Sequence, residues 1–145
     1  MASLLTLTFS QPVRNLAVGE VLITRGEPGG DLYVLESGKL VVERDGVDIA
    51  TISEPGALIG EMSVLLGNES TATVRAQKAS AVRVVRDAVA FLERQPLVAM
   101  RVATLLAQRL DATSAVLVEL KAEGKGKANE GIFNRLMSAL SGAGK

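Results

Sequence analysis

The chain has 145 residues, 48% of them apolar, 22% charged, with 16 basic and 16 acidic side chains and a formal net charge of zero. That is enough for one domain with a packed core, and it lacks the basic excess with which general nucleic-acid binders displace counterions from phosphates. It has neither cysteine nor histidine, which removes disulfides, thiolate chemistry, a Ser-His-Asp triad within the chain and the usual zinc, copper or non-haem iron sites. The expectation is a protein that is not an enzyme and needs no cofactor.

The first ten residues carry no basic group ahead of a short apolar run, unlike a signal peptide. No apolar stretch reaches the roughly 18–20 residues of a membrane span, so a cytoplasmic protein without a membrane partner is expected. From Leu4 to Val85 the texture is β. Short Val/Ile/Leu/Thr runs predict strands at Val13–Ala17, Val21–Ile23, Leu32–Glu36, Lys39–Arg44, Val47–Ile52, Ala72–Ala76 and Ala81–Val85. Between them stand Gly26-Glu27-Pro28-Gly29-Gly30-Asp31, Glu36-Ser37-Gly38 and Glu54-Pro55-Gly56, whose glycines and prolines are turn formers. Arg44-Asp45-Gly46-Val47 is a hairpin signal. Many short strands with evenly spaced turns suggest a sandwich, jelly roll or small barrel.

After Val85 the texture turns helical. Asp87 is a candidate cap for a helix over Ala88–Arg94, and Pro96 suits the first turn of a second one. From Pro96 to Lys121 there is no glycine or proline. Met100, Ala103, Ala107, Leu110, Ser114 and Leu117 recur at alternating three- and four-residue spacing, a coiled-coil-like seam. Val116, Leu117, Val118 and Leu120 spread apolar groups round the helix, which implies cover on more than one side. The cover can be the chain's own β-roll and a second copy, making a homodimer through helix 96–121, or the roll alone. Lys121 to Gly131 is a Lys/Glu/Gly-rich linker. Ile132, Phe133, Leu136, Met137 and Leu140 mark one face of a short amphipathic tail helix, a possible dock for a protein partner that the sequence does not name. The fold class is therefore α+β, mainly β: a small antiparallel β-roll (jelly-roll-like) followed by a long C-terminal helix and a short tail helix. The division is 1–121, with the roll over 4–85 and helices over 87–121, then 122–145.

The most informative stretch is Pro55 to Ala76, PGALIGEMSVLLGNESTATVRA, with GDLYVLESGKL upstream at Gly30 to Leu40. Together they resemble the cyclic-nucleotide-binding domain family, and most strongly the sensor domain of bacterial catabolite-activator-type regulators. The resemblance runs from about Val13 to Leu120. It implies a regulatory module with cyclic AMP (cAMP) or cyclic GMP (cGMP) as ligand. Gly60 lets backbone approach a ligand, and Glu61 takes the place from which the family binds the ribose hydroxyl. Glu61 to Leu66, with Met62 and Ser63 near its start, can form one helical turn whose free N–H groups and dipole favour an anion. Ser70, Thr71 and Ala72 flank the phosphate, with Thr71 and the Thr71 and Ala72 amides as donors, and Val74 packs against sugar or base. Thr113 and Ser114 match a Thr-Ser pair that reaches the base from the dimer helix, or are small polar spacers in the seam.

One residue departs from the family pattern. Arginine precedes Ser/Thr-Ala-x-Val in the family, and here that position is Ser70. Serine cannot supply the guanidinium's bidentate pair with phosphate. Arg75 follows Val74 on a strand and so points to the opposite face, while Lys78 and Arg83 lie further along. The pocket therefore either binds a cyclic nucleotide weakly or has lost it and serves as a ligand-free dimerisation or interaction module. A helix-turn-helix follows the dimer helix in the resembled regulators. The tail after Lys121 has room for one short helix, so DNA binding by this chain is not expected.

Overall fold

The computed structural model describes residues 2–123 together with 131, 134, 135 and 138. It holds α1 (Leu4–Leu7), β1 (Val13–Leu16), β2 (Val21–Ile23), β3 (Leu32–Ser37), β4 (Leu40–Arg44), β5 (Val47–Ile52), β6 (Leu58–Ile59), α2 (Glu61–Leu66), β7 (Thr73–Ala76), β8 (Ser80–Val85), α3 (Ala88–Arg94) and α4 (Pro96–Ala122). The strands form two four-stranded antiparallel sheets, β1-β8-β3-β6 and β2-β7-β4-β5.

Period-two alternation creates the sheet faces. In β8, Ser80, Val82 and Val84 are buried while Ala81 and Arg83 are half-buried. The buried cluster takes Leu16, Leu22, Leu35, Leu40, Ile59, Val74, Ala76, Val82 and Val84 from both sheets. Leu35, Leu40 and Val82 have no exposed surface, and full burial of each such side chain stabilises by about 1.5–3 kcal/mol. The β4–β5 hairpin closes through Asp45 and Gly46, both at positive φ (53° and 77°), as its sequence predicts. Arg44 then pairs with Val47.

The seven expected strands are all present, with ends shifted by one residue in several. Two local readings are corrected. The segment from Leu4, read with the β texture, is a helical turn: Ser3 Oγ accepts the Thr6 N–H at 3.2 Å, and the Thr8 hydroxyl donates to the Leu4 carbonyl at 2.6 Å. Asp87 stands before α3 but does not cap it with its side chain. Its backbone is left-handed (φ 48°), its N–H donates to Asp31 Oδ1 at 3.2 Å, and the Ala88 N–H donates to the Gly30 carbonyl at 2.9 Å. Tertiary bonds to the β2–β3 loop have replaced a local cap.

Pro96 opens α4 as expected. The chain divides into two compact units, Met1–Val102 and Ala103–Lys145. In the first, Val98 and Val102 of α4 are buried. In the second, Leu110, Val116, Val118 and Leu120 are 43–56% exposed. Among the described residues, no helix is long and apolar enough to cross a membrane. The apolar face assigned to the tail helix lies outside the described residues.

Candidate functional site

The site begins where β6 ends. Leu58 and Ile59 pair with Val34 and Tyr33, which carries Gly60 against the β2–β3 loop. Gly60 has φ +87°, and a Cβ there would stand 3.1 Å from the Asp31 carbonyl oxygen. Only glycine fits both the backbone and the space. α2 follows and closes on Gly67, whose N–H donates to the Ser63 carbonyl at 3.0 Å. This one short helix buries Glu61 (7% exposed), Ser63 and Val64, and turns Met62 out to solvent.

The return segment is held to the same loop. The Ser70 N–H donates to the Glu27 carbonyl at 2.9 Å, and the Gly26 N–H donates to the Ser70 carbonyl at 2.8 Å. Pro28 bridges Glu69. The loop passes so near α2 that a Cβ on Gly29 would be 2.3 Å from Ser63 Cβ. Between these pieces lies a cleft of about 70 Å3. Leu22, Ile23 and Tyr33 form its roll side, residues 27–31 its loop side, and Gly60, Ser63 and Ser70 its third side. The Ser63 and Ser70 hydroxyls are 3.5 Å apart.

Its electrostatics are one-sided. The lining includes Glu27 and Asp31 but no lysine or arginine. Tyr33 is held in its phenol form, its pKa raised above the ordinary value first by burial and then by the nearby Asp31 charge. The two arginines near in sequence are engaged elsewhere. Arg75 pairs with Glu43 and, at 3.3 Å, with Asp48, while its neighbour Val74 is buried in the core. Arg83 donates to the Phe9 and Gln11 carbonyls at 2.9 and 3.0 Å and to Glu36 at 2.9 Å. Lys78 is exposed.

Of the residues selected from sequence, Gly60, Ser63 and Ser70 line the cleft and Glu61 is buried beside them in α2. Thr71 is exposed, Ala72 half-buried and Val74 part of the core. Thr113, exposed, and Ser114, half-buried, belong to the second unit. The loop side went unselected. Gly29 and Gly30 read as turn formers and Tyr33 lay within the predicted strand Leu32–Glu36, yet all three line the cleft. The signal was the density of Gly26-Glu27-Pro28-Gly29-Gly30-Asp31, richer than a simple turn needs.

A family model described as "Cyclic nucleotide-binding domain" matches residues 13–93. Among curated proteins, the chain is 30% identical over 116 residues to a CRP-like cAMP-activated global transcriptional regulator of Mycobacterium tuberculosis, covering 76% of this chain and 51% of that one. It is 37% identical over 98 residues to the cyclic AMP receptor protein of Thermus thermophilus, covering 63% and 45%. The chain thus spans about half the length of these two relatives. Among solved structures, the Thermus thermophilus catabolite activator protein superposes with a TM-score of 0.66 at 28% identity, over 95% of this chain and 75% of that one. Two four-stranded sheets, the turn of helix after Gly60 and a family match over more than half the chain agree: the protein belongs to the cyclic nucleotide-binding domain family.

Proposed function

We propose that this chain is a regulatory module, not an enzyme, whose cleft takes cyclic AMP or cyclic GMP weakly because Ser70 supplies no cation. The observation that carries the reading is the lining: Ser70 faces a cleft with two carboxylates and no lysine or arginine. A cyclic phosphate then has only hydroxyl and amide donors, from Ser63, Ser70, Thr71 and Ala72, with Glu61 toward the ribose. A hydrogen bond to a charged group contributes about 1.5–3 kcal/mol, roughly 10- to 150-fold in affinity, and a bidentate pair more. The related regulators are named for cAMP, which supports the ligand class. In this reading residues 1–121 form the module, α4 pairs two copies, Thr113 and Ser114 meet the base, and the protein works in the cytoplasm.

Calorimetric titration of the full chain with each cyclic nucleotide to millimolar concentration tests this. Weak saturable binding, lost in Glu61→Ala and strengthened at least about tenfold in Ser70→Arg, is expected. Equal affinity in wild type and Ser70→Arg overturns the geometry. Absence of binding by both favours a second reading, a ligand-free dimerisation module, which the exposed apolar residues of α4 support.

A further inference from the structure

The cations missing from the cleft stand together elsewhere on the roll. Two depressions of about 370 and 290 Å3 adjoin, sharing Pro12, Val84 and Arg86. The larger adds Arg94, Gln11 and Gln95 beside Phe91, and the smaller adds Arg14 together with Asp31 and Tyr33, which it shares with the cleft. Three guanidinium groups therefore border one groove. Arg14 is held by Glu20 at 3.2 Å. Arg86 is 78% exposed, and Asp31 reaches it only at 3.9 Å. Among the described residues, no carboxylate forms an ion pair with Arg94, which ends α3.

We propose that this groove binds a small organic anion bearing phosphate groups. The guanidinium fork matches phosphate oxygens, and converging cations in a concavity raise the local potential beyond what one surface arginine does. The larger depression is within the roughly 300–1,000 Å3 of small-molecule sites. Gln11 and Gln95 add neutral donors. A bound peptide is a poorer fit, because peptide anchors need apolar pockets, and Val84 and Phe91 are only 5% and 8% exposed. The place matters for signalling. Gln95 joins α3 to α4, its carbonyl accepting the Val98 and Ala99 N–H groups at 3.0 and 3.1 Å. An anion seated there bears on the start of the long helix.

Amide NMR titration of the full chain with fructose 1,6-bisphosphate, at constant ionic strength, tests the proposal. Saturable sub-millimolar shifts at Gln11, Val84, Arg86 and Gln95 are expected, weakened by roughly tenfold or more in Arg86→Gln/Arg94→Gln. Arg25→Gln, on a different surface pair, is expected to leave them unchanged. Equal shifts in the double variant, or shifts spread over all arginines and abolished at about 150 mM salt, overturn it. Cyclic AMP added to the same sample is read at Gly60, Ser63 and Ser70, so failure of the groove and failure of the cleft are separate results.

Discussion

Tyr33 is the chain's one tyrosine and there is no tryptophan, so its ultraviolet titration reports the cleft directly. Burial and Asp31 both disfavour the phenolate. Its folded pKa therefore exceeds its unfolded one. The resulting stabilisation is complete below the unfolded pKa, near 10, and is lost as pH rises through the folded value. A spectrophotometric midpoint clearly above that of free tyrosine is expected in native buffer, falling to the ordinary value in denaturant. A native midpoint at or below the ordinary value would contradict the described environment. Glu20 behaves in the opposite sense. The Ala17 N–H and Arg14 hold its carboxyl below the usual range, so its contribution is present at neutral pH and lost as pH falls through the lowered value. At this scale Gly60, Glu61 and Ser70 were legible because a short motif places them. Tyr33 and Gly29 were not, since a strand tyrosine and a turn glycine look alike whether or not another segment folds against them.

Between strands, the Asp45–Gly46 turn and the Gly29 crossing make a contrast. A Cβ at Gly46 meets nothing within 4 Å, so Gly46→Ala incurs only the left-handed backbone penalty, about 1–2 kcal/mol in urea unfolding. A Cβ at Gly29 collides with Ser63, so Gly29→Ala is expected to lose more stability than Gly46→Ala and to shift the amides of α2. The reverse order would show that the loop yields freely. In the core, Leu35→Ala is expected to lose about 2–5 kcal/mol, since Leu35 is wholly buried between the sheets. The strands were legible from alternation, and their ends moved by a residue because pairing partners decide them. Asp87 was misread for a related reason. Its sequence is that of a cap, but the loop carrying Gly30 and Asp31 offers tertiary hydrogen bonds that a local cap cannot match.

For the whole molecule, the prediction concerns assembly through α4. The seam residue Leu110 is 44% exposed, and Val116 and Val118 are 53% and 56% exposed. If α4 pairs two copies, sedimentation at micromolar concentration yields the dimer mass, and Leu110→Glu/Leu117→Glu yields monomer with the roll intact by thermal unfolding. A monomeric wild type would remove the dimer from the functional reading. The seven strands read from alternation, the long helix and the family cassette were determined by the sequence, because alternation, turn residues and a contiguous motif act over a few neighbours, whereas β6 and the order of strands in the two sheets came from contacts between distant segments. Only the tertiary structure decided which charges meet. It brought Glu27 and Asp31 to a cleft without a cation, engaged Arg75 and Arg83 with other partners, and gathered Arg14, Arg86 and Arg94 along one groove. Arg14 and Arg94, 80 positions apart, share that groove only because β1 pairs with β8 and α3 follows it, and electrostatic energy depends on distance in space, not along the chain.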